Sequence, residues 1–216
     1  MYKTELVVAS YKENLNWVKL IKSINKISVY NRDPNCNFQG AINVPLCGGR
    51  EAYIFLTHII LNYEQLADYT IFVQGNPFEQ LSPPGILNEI NFDSFLFNHE
   101  YKTVQEPLYW RTGCPFTGKQ LVHEFTGKCK TAYADIFQGE VPEEIYFCPG
   151  GQYIVPRANI LSKSLKFYEA LRERITPIRT HHQDGFWNAW TLEGLWDCIY
   201  DINIKEKPIT EWVRKD

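Results

Sequence analysis

Long hydrophobic runs are missing from this 216-residue chain. A membrane helix needs roughly 18 or more consecutive apolar residues, and Leu6-Val7-Val8-Ala9 near the N-terminus is too short even for the apolar core of a signal peptide. The expectation is a cytoplasmic protein without a membrane span. An excess of charge of one sign is missing too: 22 Lys and Arg against 25 Asp and Glu leave a net charge of −3 and a pI near 6.0. That balance argues against nucleic acid or anionic lipid as a partner, so any phosphate-binding surface must be a local cluster of cations. Paired cysteines are the third absence. Cys36, Cys47, Cys114, Cys129, Cys148 and Cys198 contain no CxxC pair, which suits reduced, buried thiols better than a disulfide framework. A zinc set of Cys114, His123 and Cys129 has the spacing of no ribbon or finger, and the adjacent His181 and His182 point in different directions and cannot easily share one ion.

What is present is an ordinary globular composition, 44% hydrophobic and 22% charged, which removes disorder and fibrous repeats from consideration. A chain of this length buries a substantial core unaided, and one domain, 1–216, is expected. Aromatic residues reach 15%, as an aromatic core or rings that stack on sugars would require.

Periodicity predicts an α/β fold with a mixed, mainly parallel sheet flanked by helices. Glu5–Ser10 is an apolar, β-branched run; Leu15, Val18, Leu20, Ile21 and Ile24 follow with helical spacing; Lys26–Tyr30 restores strand character before the turn Asn31-Arg32-Asp33-Pro34-Asn35. This βαβ opening predicts a parallel sheet. A polar connection over 34–49 ends in Cys47-Gly48-Gly49-Arg50-Glu51, read as a left-handed glycine turn feeding a helix marked by Ala52, Phe55, Leu56, Ile59, Ile60 and Leu66. Tyr69–Val73 is the clearest strand and breaks into Gln74-Gly75-Asn76-Pro77, where α/β sheets place ligands. Residues 78–135 read as loops with short helices. Glu144–Cys148 and Gln152–Val155 flank Pro149-Gly150-Gly151 and suggest a hairpin or bent strand pair; helices are expected over 158–175 and from Gly185 through Tyr200, and the tail from Lys205 reads as a polar surface wrap.

Several segments together carry a resemblance. Val7-Val8-Ala9 with Glu13 and Trp17, Val29-Tyr30-Asn31, Gly49-Arg50-Glu51-Ala52-Tyr53 with Leu56 and His58, Asn62-Tyr63, Leu66-Ala67-Asp68, Phe72 to Phe78, Gly151 to Val155 with Arg157 and Ile160, Phe167-Tyr168 with Leu171, and Glu193-Gly194-Leu195-Trp196 resemble, in order and spacing, the DUF3431 family. That family is of unknown function and looks related to glycosyltransferases of the GT-A fold. The resemblance implies a nucleotide-sugar-binding half over 1–78, an acceptor-binding half over 79–216, a nucleoside-diphosphate sugar donor (a UDP-sugar favoured) and a glycan or glycoprotein acceptor.

Such a transfer needs neutralisation of the departing diphosphate and, for inversion, a base for the acceptor hydroxyl. GT-A enzymes mostly hold Mn²⁺ or Mg²⁺ through an Asp-x-Asp turn at a central strand end, where this chain has Gln74-Gly75-Asn76. A metal remains possible through Asp33, Asp68 or Asp93; otherwise cations neutralise, with Arg50, Arg157 and Arg179 favoured and His181 and His182 behind them. The layout is similar to the β-1,6-N-acetylglucosaminyltransferase group, which lacks Asp-x-Asp. Glu193, amid Trp187, Trp190, Leu192, Leu195 and Trp196, is the candidate base, since apolar surroundings raise a carboxyl pKa, and Asp184 is the second choice. Ser10, Glu13, Asn31 and Asp33 at the first two strand ends, with Gly151 and Gln152, complete the expected donor contacts. Each also has a plainer explanation as a helix cap, turn or exposed charge.

Overall fold

The computed structural model describes residues 2–21, 24–36, 38–77, 110–111, 121–124, 127–147, 153–176 and 189–212. Strands β1 (Thr4–Ser10), β2 (Lys26–Asn31), β3 (Ile42–Asn43) and β4 (Tyr69–Gln74) run parallel. Further along lie β5 (Trp110–Arg111), β6 (Leu121–Glu124), β7 (Glu144–Phe147) and β8 (Tyr153–Pro156). The main sheet has the order β3-β2-β1-β4-β8-β5, with β8 antiparallel to both its neighbours. All seven residues of β1 are buried, as expected of a strand covered on both faces.

Alternation along the strands sorts the core into two layers. Val7, Ala9, Tyr30, Phe72, Tyr153 and Val155 share a cluster with α1 (Arg50–Asn62), while Leu6, Val8, Val29, Ile71, Val73 and Ile154 pack with Leu15, Val18, Trp17, Ile21 and Ile24 on the other side. The remaining helices are α2 (Gly127–Ile136), α3 (Arg157–Ile160), α4 (Leu165–Ile175), α5 (Ala189–Glu193) and α6 (Trp196–Tyr200). An aromatic stack ties α6 to the sheet: Trp196 lies on Tyr200 (5.3 Å, 11°), and Tyr200 lies on Phe72 (6.1 Å, 7°).

Four expectations are corrected. The first crossover holds a 3-10 segment, Asn16–Leu20, rather than an α-helix over 15–24. Leu15, Val18, Ile21 and Ile24 recur every three residues, which is the 3-10 period and not the α period. The runs around Pro149-Gly150-Gly151 do not pair: β7 joins β6 in a separate antiparallel sheet, and β8 joins the main one. The two later helices are each interrupted. Ser164 starts α4 by accepting the Phe167 N–H, and Gly194 separates α5 from α6 where a Cβ would lie 2.9 Å from the Cys129 Sγ. The tail is anchored rather than superficial, because Trp212 is 5% exposed and meets Phe167 edge-on at 5.6 Å.

A buried polar cluster spans β1, β2 and α1. Glu5 Oε1 accepts from Ser28 Oγ at 2.6 Å, pairs with Lys26 Nζ at 2.9 Å and lies 3.9 Å from His58 Nε2. The Tyr30 hydroxyl (3.1 Å) and Asn62 Nδ2 (3.4 Å) both face His58 Nδ1. Two donors at Nδ1 assign it as the acceptor and leave the ring proton on Nε2, toward Glu5. Burial, opposed by Glu5, lowers the His58 pKa to about 4, so the ring is neutral at pH 7 and its approach to Glu5 is not an ion pair.

Candidate functional site

The chain runs from β1 outward to β2 and β3, then returns through α1 to place β4 on the other flank of β1. The strand order therefore reverses between β1 and β4, and open α/β sheets bind ligands at such a reversal, outside the carboxyl ends of the strands. A crevice of about 630 Å³ lies there, lined by Lys12, Glu13, Asn14, Asn16, Trp17, Gln74 and Asn76. Its volume falls in the range of small-molecule sites.

Gly75 holds the two strand ends together. Its carbonyl accepts the Trp17 indole N–H at 3.0 Å. Its Cα meets the Glu13 carboxylate, where a Cβ would come within 2.5 Å of Oε2. Glu13 is itself fixed, because Oε2 accepts from the Tyr11 N–H (2.6 Å), the Lys12 N–H (3.1 Å) and Ser10 Oγ (3.2 Å). Gln-Gly at this strand end thus reflects a close approach that only glycine allows. Gly75→Ala is expected to cost about 1–3 kcal/mol by overpacking. Urea unfolding checks it: the penalty should shrink in a Glu13→Ala background, which removes the carboxylate and keeps only the 3.1 Å approach to the residue-13 Cβ, and an equal penalty there would show that some other contact sets it.

The anticipated residues separate into distinct places. Ser10 and Glu13 build the clasp, while Gln74 and Asn76 line the crevice. Asn31 is buried inside the β2–β3 connection: its Nδ2 donates to Asn43 Oδ1 (3.0 Å) and to the Asp33 carbonyl, and its Oδ1 accepts the Asp33 N–H (2.9 Å). Asp33 turns back on Asn35, accepting its N–H at 3.0 Å. Both are turn-forming rather than free for a ribose. Arg157 follows antiparallel β8, and its N–H donates to the carbonyl of Asp68, the residue before β4. Arg157 and Asp68 therefore sit at the opposite edge of the sheet from Gln74, which removes both from this crevice. Glu193 ends α5, half-buried, one turn beyond Trp190, whose ring lies 5.4 Å from the Arg50 guanidinium carbon. Gly151, Gln152, Asp184, Arg179, His181, His182, Asp93 and Cys114 fall outside the described residues, as does the side chain of His123; Cys129 Sγ approaches the Thr191 carbonyl at 3.9 Å.

The glycine turn before α1 also differs from expectation. Gly49 has an ordinary φ of −77°, and the left-handed residue is Arg50, at φ 49°. Glycine is needed at 49 for space, since a Cβ would lie 2.8 Å from both Ile175 Cδ1 and Tyr53 Cβ. Sequence reasoning missed Lys12, Asn14, Asn16 and Trp17 as residues lining the crevice. Their signal was position alone, just beyond the strands that flank the reversal.

The residues at the end of β4 do not fit a divalent cation. Gln74 and Asn76 offer neutral amides, and Glu13, the one carboxylate that lines the crevice among the described residues, has Oε2 occupied by three protein donors. Among the described residues, no three His, Cys, Asp or Glu side chains converge as a metal set would, and no helix is long and apolar enough to cross a membrane.

No curated protein and no solved structure matches the chain. A family model does match, over residues 6–211. That span includes β2, β4 and β8 whole, β1 from Leu6 onward and both sides of the crevice, and the chain belongs to the family described as a protein of unknown function, DUF3431.

Proposed function

We propose that this protein is a GT-A-like glycosyltransferase that moves a sugar from a nucleoside-diphosphate sugar, a UDP-sugar in the favoured case, to a hydroxyl of a glycan or glycoprotein. The observation that carries the proposal is the crevice at the strand-order reversal, where Trp17 sets an apolar ring beside Asn14, Asn16, Gln74 and Asn76. Aromatic surface with neutral amides suits a base or sugar, which needs stacking and hydrogen bonds of both polarities. In the reaction a base takes the acceptor hydroxyl proton, the oxygen bonds to the anomeric carbon, and the bond to the diphosphate breaks with its electron pair leaving on the phosphate oxygen. Glu193 is the proposed base.

Thermal unfolding with a panel of UDP-, GDP- and CMP-sugars, with and without Mn²⁺, tests the proposal. A ligand at a hundred times its Kd stabilises by about 2.7 kcal/mol, which in a domain of this size raises Tm by roughly 5–10 °C. No shift with any nucleotide would remove the transferase. Glu193→Gln is expected to slow transfer or donor hydrolysis about a hundredfold; an unchanged rate would remove Glu193 but keep the class. Amides in place of carboxylates at the end of β4 favour a second reading, a nucleotide-sugar- or glycan-binding module without catalysis. It predicts the same shift with no turnover.

A further inference from the structure

The carboxyl end of β2 presents a cation, Arg32, with no carboxylate partner among the described residues. Arg32 continues the ladder beyond β2, its N–H donating to the Ser10 carbonyl at 3.0 Å. Its guanidinium carbon lies 5.5 Å from the centroid of the Tyr11 ring, and Tyr11 leads directly into Lys12 and Glu13 at the crevice. The Arg32 Nε is buried with no hydrogen-bond partner, and among the described residues no carboxylate oxygen lies within 4 Å of the guanidinium. Burying an N–H of a charged group without an acceptor is costly, and an oxyanion placed there would recover that cost.

A second arginine, Arg50, faces the same end of the sheet. Burial is the main cause that lowers the Arg32 pKa; Glu51 and then Cys47 oppose it, and the positive charge of Arg50 lowers it further. Geometry puts the two at the same end of the sheet: Arg32 follows the carboxyl end of β2, and Arg50 opens α1, which leaves that end to return the chain to parallel β4. Arg50 is held at φ 49°, in the left-handed region that a residue with a side chain disfavours. Among the described residues its one ion pair within 4 Å is a loose 3.9 Å approach to Glu51, and its guanidinium lies over Trp190. Two arginines at one end of the sheet, each set against an aromatic ring and neither closely paired with a carboxylate among the described residues, are arranged for an anion that would bridge them.

We propose that Arg32 and Arg50 form an anion subsite beside the crevice that takes the diphosphate of the donor, an assignment that rests on the transferase reading. It supplies from cations the neutralisation that Gln74-Gly75-Asn76 cannot supply through a metal. Of the arginines favoured from sequence it retains Arg50, replaces Arg157 and adds Arg32.

Titration calorimetry on the full chain with inorganic pyrophosphate, UDP and uridine tests the subsite. Pyrophosphate and UDP should bind with an affinity that falls with added salt. Arg32→Gln and Arg50→Gln should each weaken both by at least tenfold while leaving uridine unaffected, and Arg157→Gln, at the opposite edge, should change nothing. Arg32→Lys, which keeps the charge, should retain part of the affinity and decides the matter if Arg32→Gln does not fold. No pyrophosphate binding, or binding indifferent to Arg32, overturns the subsite. UDP-sugar binding that ignores Arg32→Gln sinks the subsite and spares the transferase; Arg32-dependent pyrophosphate binding without UDP-sugar binding does the reverse.

Discussion

Trp196→Ala is expected to cost about 3–5 kcal/mol, the range for truncating a large buried aromatic. The indole is 1% exposed, stacked on Tyr200 and tilted against Phe55 at 6.0 Å. Removing it leaves a cavity between α1, α6 and the sheet and unpins Tyr200 from Phe72. Set against a total stability of about 5–15 kcal/mol for a protein domain, the loss brings the chain near its folding threshold. Urea unfolding followed by circular dichroism reads it directly. Trp190→Ala is the contrast: that ring is 44% exposed and lies beneath the Arg50 guanidinium, so its loss should cost under about 1 kcal/mol. Equal penalties at the two positions would mean that the stack does not hold α6 on the sheet.

Acid is expected to remove about 2.5 kcal/mol of stability through His58 alone between pH 7.5 and 4.5. The folded pKa is lowered from 6.5 to about 4 by burial. Below pH 6.5 the unfolded chain takes up a proton that the folded chain refuses, so stability present above that value is lost as pH falls toward 4. Other carboxylates titrate in the same window, and the measurable quantity is therefore a difference. Urea unfolding of the protein and of His58→Leu at both pH values should show the parent losing about 2.5 kcal/mol more than the variant. Parallel losses would mean that His58 is protonated in the fold, with Glu5 as its counter-charge after all.

Sequence and structure agree where local chemistry decides the outcome. β1, β2 and β4 are short β-branched runs bounded by polar residues, and α1 shows its buried face in Ala52, Phe55, Leu56 and Ile59. Disagreement begins where pairing is non-local. Nothing within 144–155 says that β7 seeks β6 while β8 seeks β4, because partner choice depends on surfaces distant in sequence. The 3-10 crossover was visible in its three-residue repeat and was mistaken for a helix because Leu20, 72% exposed, was counted among the inward positions. The same holds at the site. Gln74-Gly75-Asn76 is legible from its place after a strand, whereas Arg32 stands in a turn-rich stretch, and its unsatisfied Nε depends on neighbours in space that the sequence does not show. Arg157 attracted notice through its motif, yet the reversed direction of β8 sends it to the far edge.

That reversed direction is one consequence of the topology; the clasp at Gly75 has another. With the Trp17 indole bonded to the Gly75 carbonyl and the Glu13 carboxylate pressed on its Cα, the separation of the two strand ends is set during folding. A ligand entering there meets a preorganised mouth with little conformational entropy left to lose. Such a mouth selects by the shape it admits, not by closing around what arrives. Its free and occupied forms should share one backbone at residues 10–17 and 74–76, so selectivity between ligands must come from the side chains that line the crevice.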